Sequence, residues 1–213
     1  MPARCRTGRP PVLSCEERSC QILRAAEAVF ARHGYSGATM ERIATEAGMS
    51  KRTLYQHFGD KLAVLAALLR AYNANPVMES LQDPAPAGSP REILHRSLCA
   101  IAGFVLSPGQ IALTRLAIAE ATTTPEVARL FYANAMGGLN AALSRRLAWL
   151  AESGAIRCAD PERLGEQLIG ATLNRQVLRR LTHTEIGAPS ADEIAGRVDD
   201  VLDLVAPAMG LSA

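Results

Sequence analysis

A run of hydrogen-bonding side chains stands at Lys51-Arg52-Thr53-Leu54-Tyr55-Gln56-His57-Phe58. On a helix at ~100° per residue, Leu54 and Phe58 fall within about 40° of each other and form the side turned to a core. Arg52 and Gln56 then point the opposite way, with Tyr55 on one flank and Thr53 and His57 on the other. Such a face has a definite chemistry. An arginine donates two hydrogen bonds to the major-groove edge of guanine, and a glutamine pairs bidentately with adenine. Hydroxyls, an imidazole and an ammonium hold phosphate oxygens instead, which sets register without reading sequence. Lys51 sits in the first turn of this helix and Lys61 in the first turn of the next, where the positive helix end assists an anion contact.

Other chemistries find little support. Glu92 and His95 form a Glu-x-x-His pair of the kind that ligates a di-iron site on a bundle helix, but the chain holds no second pair, and Glu92 is accounted for as a helix cap. No metal and no cofactor are therefore expected. No Gly-rich phosphate loop or nucleophile motif is present, and two of the four histidines, His33 and His57, lie within the basic front of the chain, so an enzyme is not expected. The five cysteines, Cys5, Cys15, Cys20, Cys99 and Cys158, are odd in number and irregularly spaced, unlike a disulfide framework or a zinc cluster. Cys99 reads as a small buried apolar residue.

The elements that must position the 51–58 face are helical. Ser14 with Glu17, Ser89 with Glu92, Ser107 with Gln110 and Ser190 with Glu193 each have the spacing of a capping box. Thr124-Pro125 and Asp160-Pro161 add a capping residue followed by proline at the first helical position. No window alternates with period two, so strands are not expected. Ile22, Ala26, Val29 and Phe30 mark a first helix stopping near His33-Gly34. Ile43, Ala44 and Ala47 mark a short second one, capped by Thr39 and ended by Gly48, and Ser50 caps a third that Gly59 breaks. Leu62, Leu65, Leu68 and Leu69 carry a fourth towards Tyr72. The Pro- and Ala-rich stretch from Asn75 to Pro90 reads as a linker. Helices over about 90–106, 108–121, 125–152, 161–182 and 190–209 follow, with Gly137-Gly138 expected to bend or split the third of these. The two short helices joined by Gly48-Met49-Ser50 have the arrangement of a helix-turn-helix.

The fold class is thus all-α: a flexible basic arm over 1–13, a helix-turn-helix domain over 14–60 and a helical bundle over 61–213. With 213 residues and 48% of them hydrophobic, the chain can bury a real core. No apolar stretch reaches the ~18 residues of a membrane span and no leader is recognisable at the N-terminus, so a cytoplasmic protein without a membrane is expected. Charge is uneven. Residues 1–61 hold ten basic and six acidic side chains, a balance of +4, against 13 and 15, or −2, in the remainder. The positive end is the one suited to a polyanion. Arg4, Arg6 and Arg9 in the arm are placed to reach a minor groove; the plain alternative is a disordered tail that raises solubility.

The segments Ala25-Ala26-Glu27-Ala28-Val29-Phe30, His33-Gly34-Tyr35-Ser36-Gly37-Ala38-Thr39, Ile43-Ala44, Ala47-Gly48-Met49-Ser50 and Thr53-Leu54-Tyr55-Gln56-His57-Phe58 with Lys61 resemble the DNA-binding domain of the tetracycline-repressor-type (TetR) regulators. The resemblance spans about 45 residues. It implies an all-helical homodimer that binds a double-stranded DNA operator through its N-terminal domain and is released when a ligand enters the divergent C-terminal domain. On this likeness Thr39, Thr53, Tyr55, His57 and Lys61 stand where the DNA backbone is contacted, and Lys51, Arg52 and Gln56 at the variable base-facing positions. Glu41 departs from the pattern, standing where some relatives have a base-reading arginine. Further on, Arg115-Leu116-Ala117-Ile118-Ala119-Glu120, Pro125 to Tyr132 and Gly154 to Glu162 are similar to the AefR-like type of C-terminal domain, found in regulators linked to efflux and to cell-surface or quorum traits.

In the C-terminal region Phe104, Phe131, Tyr132, Met136 and Trp149 can line a cavity for a largely apolar small-molecule effector, and Thr114, Asn174 and Gln176 can orient it; the alternative is that the large side chains simply fill the core. Arg115 and Glu120 read as structural pairs. Leu164, Leu168, Ala171, Leu178 and Leu181, with Ile194, Val198, Val201, Leu202 and Val205, form two stripes suited to a two-fold four-helix interface or to packing within one chain. A single helix-turn-helix binds weakly at physiological salt, which favours the dimer and a palindromic operator. The most concrete expectation is a ligand-released repressor. A DNA-binding protein without effector and a helical enzyme with an incidental basic front are the competing classes.

Overall fold

A computed structural model describes residues 14–74, 80–81 and 86–211, with the side chains at 73, 135–137 and 174 not described. The basic arm with Arg4, Arg6 and Arg9, most of the 75–90 linker, and the side chains of Met136 and Asn174 lie outside the described residues. Nine helices are defined among those that are described: α1 (Cys15–Gly37), α2 (Met40–Glu46), α3 (Lys51–Phe58), α4 (Lys61–Asn73), α5 (Pro90–Val105), α6 (Pro108–Glu120), α7 (Pro125–Glu152), α8 (Pro161–Thr182) and α9 (Ala191–Met209). They separate into two compact units, residues 1–65 and 66–213, so the first turn of α4 is counted with the first unit.

Their starts follow the sequence signals. The Ser14/Glu17, Ser89/Glu92 and Ser190/Glu193 boxes all close in both directions. Each satisfies two backbone donors that a helix start leaves orphaned, worth about 1 kcal/mol per cap. Asp160 caps α8 by accepting from the Arg163 N–H at 3.0 Å.

Four expectations need correction. Ser107 accepts from the Gln110 N–H, but the return bond is missing, because the Ser107 N–H already closes the preceding turn on Phe104 O. The Gln110 side chain instead enters the core, 1% exposed. Thr124 makes no cap bond, its hydroxyl donating back to the Glu120 carboxylate at 3.1 Å. Gly137-Gly138 does not split α7, which runs unbroken from Pro125 to Glu152. Two glycines weaken a helix by about 1 kcal/mol each, and the buried Leu139, Leu143, Leu147 and Leu150 that follow them hold it against its neighbours. Finally, α1 does break at Gly34 (φ 66°, ψ 178°), but one more turn, Tyr35–Gly37, follows.

In the first unit Ile22, Ala26, Val29, Phe30, Ile43, Ala44 and Leu54 form the centre, all 2% exposed or less. In the second, α7 packs along α8 and α5 along α9, with α6 against α7 and α8. Their shared core contains Leu94, Leu98, Ile101, Leu143, Leu147, Leu150, Leu168, Val198 and Leu202. Most of the two apolar stripes is used inside one chain: Leu168, Val198, Val201 and Leu202 are buried and Leu164, Ile194 and Val205 pack against the same core, whereas Leu178 (64%) and, outside the stripes, Leu204 (80%) are exposed. No single helix among the described residues is long and apolar enough to cross a membrane. The α5–α6 pair is apolar enough only when taken together and is bent by 60° between the two helices; Leu94, Leu98 and Ile101 of α5 and Ile111, Leu113 and Leu116 of α6 are buried within the protein.

The polar residues of the bundle form local structural bonds. Arg115 donates to the Arg180 and Leu181 carbonyls and Glu120 accepts from Thr123 and Thr124, so both serve structure. Glu92 is held as a cap, its carboxyl kept below the ordinary value by the Ser89 N–H. His95 lies 3.7 Å from Asp199 and 3.8 Å from the Cys99 thiol. Burial, reinforced by Asp199, pushes that thiol up. Among the described residues no group of three His, Cys, Asp or Glu side chains is placed to hold a metal ion.

Candidate nucleic-acid interface

The α2–turn–α3 unit is built by caps. Thr39 Oγ1 accepts from the Arg42 N–H at 3.2 Å and starts α2. The helix ends in a Schellman arrangement: Gly48 takes φ 62°, and the Met49 N–H reaches back to Ala44 O at 2.9 Å. A side chain at position 48 would be strained in that left-handed conformation. Ser50 then caps α3 by accepting from the Thr53 N–H, and its hydroxyl lies 2.8 Å from Thr53 Oγ1. From α1, Gln21 donates to Ala47 O at 2.9 Å and pins the turn.

Leu54, 0% exposed, anchors α3. Phe58 is only half-buried, with its ring edge-on to His57 at 5.0 Å, so the buried face of α3 rests on Leu54 more than on the pair expected. Lys51, Arg52, Tyr55 and Gln56 are exposed, and Thr53 and His57 are half-buried on the flank. Arg52 and Gln56 have no hydrogen bond or ion pair among the described residues. Two adjacent side chains able to read base edges thus stand uncommitted, opposite the anchor.

Their neighbours are held in place. Lys51 Nζ lies 2.7 Å from Glu41 Oε1, so the carboxylate on α2 orients the ammonium on α3. The hydrogen bond from Lys51 is the main cause of a Glu41 pKa below the ordinary value. His57 Nε2 lies 2.7 Å from Ser19 Oγ, tying α3 to α1. Lys61 supports the fold itself, because its ammonium donates to Tyr35 O at 2.6 Å and Ala38 O at 2.9 Å and sits 4.1 Å from the centre of the Tyr35 ring. Tyr35 in turn stacks on Phe30. Around the turn, Arg42 meets His33 Nδ1 at 3.0 Å and Arg32 pairs with Glu46 at 2.6 Å.

The structure therefore gathers Thr39, Lys51, Arg52, Thr53, Tyr55, Gln56, His57 and Lys61 around one helix-turn-helix. It adds Ser19, Gln21 and Glu41, whose roles depend on contacts between helices that spacing does not encode. The expected ligand-facing residues are placed differently. Phe104 and Phe131 are 7% and 8% exposed, Thr114 returns its hydroxyl to Gln110 O, and Trp149 packs against the core. The bundle holds a cavity of about 340 Å³ lined by Leu81, Ile93, Arg96, Ser97 and Arg146, among others, and a smaller one of about 170 Å³ between α5, α8 and α9. Of the expected ligand contacts whose side chains are described, only Gln176 lines either, in the smaller one.

Comparison with known proteins agrees with this geometry. Residues 22–68 match the family model of the bacterial regulatory proteins of the tetR family, and residues 92–208 match that of the AefR-like transcriptional repressor C-terminal domain. The transcriptional activator FasR of Mycolicibacterium smegmatis is 47% identical over 62 residues, 29% of this chain and 28% of FasR. The transcriptional repressor AcnR of Corynebacterium efficiens is 44% identical over 64 residues, 30% of this chain and 32% of AcnR. The chain thus matches under a third of the length of these relatives. Over whole chains, the crystal structure of a tetR-family transcriptional regulator from Mesorhizobium loti superposes with a TM-score of 0.80 at 24% identity, covering 93% of this chain and 99% of that one. With its C-terminal model alone spanning more than half of its length, the chain belongs to the tetR family of bacterial regulators and carries an AefR-like C-terminal domain.

Proposed function

We propose that the protein is a cytoplasmic, sequence-specific DNA-binding regulator, a repressor that leaves a palindromic operator when a small-molecule effector enters its C-terminal unit. The observation that carries this reading is the exposed, uncommitted Arg52–Gln56 pair on α3, set opposite the buried Leu54. Arg52 reads guanine and Gln56 adenine, while Thr39, Thr53, Tyr55, His57 and Lys61 hold phosphates. Lys51 stands beside them at the third base-facing position, where its ion pair with Glu41 competes with contacts to DNA. The operator is palindromic because two copies join through α8 and α9, where Leu178 and Leu204 are left exposed. FasR is named an activator and AcnR a repressor, although each matches this chain over a stretch of similar length, so these relatives do not fix the sign of regulation; the AefR-like repressor model is the ground for choosing repression.

The effector enters beside α5 and α7, where the cavity of about 340 Å³ falls within the ordinary range of ligand pockets. Its binding shifts α4 and changes the separation of the two recognition helices, which half-site spacing tests directly.

The experiment is binding of the purified protein to DNA from its own upstream region across a series of salt concentrations, for wild type and Arg52→Ala. A salt-sensitive footprint over a palindrome is expected, with Arg52→Ala costing about 1–3 kcal/mol at one operator position and relaxing preference there. A uniform loss on all sequences would reduce Arg52 to a phosphate contact. No selective binding, there or in a selection from random duplexes, would overturn the reading.

A further inference from the structure

We propose that the cavity between α5, α8 and α9 is a binding site for a small monocarboxylate, separate from the larger cavity beside α5 and α7. Its volume is about 170 Å³. That is the space of roughly six waters at ~30 Å³ each, which suits a ligand of about six non-hydrogen atoms.

Thr172 supplies the leading observation. Elsewhere in these helices Thr45, Ser97, Thr114 and Thr182 each return the hydroxyl to the carbonyl four residues back, at 2.7 to 2.9 Å. That is how a buried helical hydroxyl is usually satisfied. Thr172 lines the cavity, is 2% exposed, and its Oγ1 has no partner. Burying a hydroxyl without a hydrogen bond is costly, so its place at this wall calls for an acceptor.

The other polar walls point to the same ligand. One turn along α8 is Gln176, and across from it on α9 is Arg197; neither has a hydrogen bond or ion pair among the described residues. A guanidinium, an amide and a hydroxyl together supply the donors that a carboxylate accepts. Glu193, the one carboxylate in the wall, is already engaged, accepting the Ser190 N–H at 2.7 Å in the cap of α9. Two turns beyond Thr172, Arg180 holds Leu106 O, and its buried Nε adds another unpaired donor to this stretch of α8. Leu106 and Ile194 form apolar wall for a short aliphatic tail.

The test titrates sodium butyrate into the full chain, with sodium chloride at equal ionic strength and butyramide as the uncharged isostere, following the melting temperature and the heat of binding. Butyrate is expected to give a saturable rise, since binding to the folded state alone stabilises it, and butyramide to bind at least tenfold more weakly. Arg197→Gln and Thr172→Val should each weaken butyrate tenfold or more. Thr172→Val, which replaces an unpartnered hydroxyl with a methyl, should leave the ligand-free melting temperature unchanged or raised. A response no different from chloride, equal binding of butyramide, wild-type affinity in either variant, or a destabilised ligand-free Thr172→Val would each overturn the proposal.

Discussion

The two units treat their polar side chains in opposite ways. Among the described residues every buried polar or charged side chain, namely Ser97, Gln110, Glu120, Arg146, Thr172 and Arg180, lies in the second unit and none in the first. The helix-turn-helix buries only apolar groups and turns its hydrogen-bonding capacity outward. The bundle folds arginines inward, where Arg146 donates to the Ser80 and Leu81 carbonyls and Arg180 to that of Leu106. The difference follows from what each must meet. On the proposed reading a polyanion would be met at the surface, by groups kept hydrated until contact, and a small ligand inside, by donors already stripped of water. Outward polar residues should therefore govern DNA binding with little effect on stability, whereas the inward arginines that hold backbone carbonyls should govern stability with little effect on DNA binding.

The largest effects test the first unit's apolar interior. Leu54→Ala removes the anchor of α3 and should destabilise that unit by about 2–5 kcal/mol, read from its unfolding transition. DNA binding is lost with it. If the unit keeps its stability, α3 is held by its caps and the inward/outward division is wrong. Next, Arg180→Met strands the Leu106 carbonyl and should destabilise the bundle by about 1–3 kcal/mol while leaving the DNA affinity of the folded fraction unchanged. An unchanged melting curve would show that inward arginines in this unit do not support its fold.

Lys61 crosses the division and sharpens it. Its position alone suggests a phosphate contact, yet the ammonium holds two carbonyls of the α1–α2 connection. Lys61→Met should thus do two things: lower the stability of the first unit by about 1 kcal/mol, and weaken binding to every DNA alike, with a salt slope about one unit flatter. Loss of stability with an unchanged slope would make Lys61 an inward residue in function, whatever its place at the helix start.

This mixture shows what is legible in the sequence. Helix starts are readable because capping boxes are local: three of four close as their spacing requires. The exception, Ser107/Gln110, fails because the Ser107 N–H is claimed by a neighbouring turn, which only the folded α5–α6 corner reveals. The recognition face is readable because one period of 3.6 places Arg52 and Gln56 opposite Leu54. The bundle's interior is not. Phe104, Phe131 and Trp149 stand out for size, and large apolar residues fill a core as readily as they line a cavity. The polar groups that do line one, Thr172 and Gln176 on α8 and Arg197 on α9, are brought together only by the packing of two helices, and of these only Gln176 stands out in the sequence. The paired stripes on α8 and α9 fail in part for the same reason, since periodicity marks an apolar face without saying which neighbour covers it.

Glu41 offers the finest test of the outward unit, since it places a negative charge at a surface proposed to meet phosphates. Its carboxylate is exposed and holds Lys51 at 2.7 Å. Because its pKa is lowered in the folded state, the stabilisation it contributes is present above the unfolded carboxylate value and is lost as pH falls through the folded one. Wild type should therefore lose slightly more stability below about pH 4.3 than Glu41→Gln, in which the contributions of Glu17 and Glu92 remain. At neutral pH the same substitution frees Lys51 for a phosphate and should steepen the salt dependence of binding by about 0.9, with more affinity for all sequences and less discrimination among them. If discrimination instead collapses at a single cytosine-containing position while the slope holds, Glu41 accepts from a base, and the Glu41–Lys51 pair reads sequence as a unit.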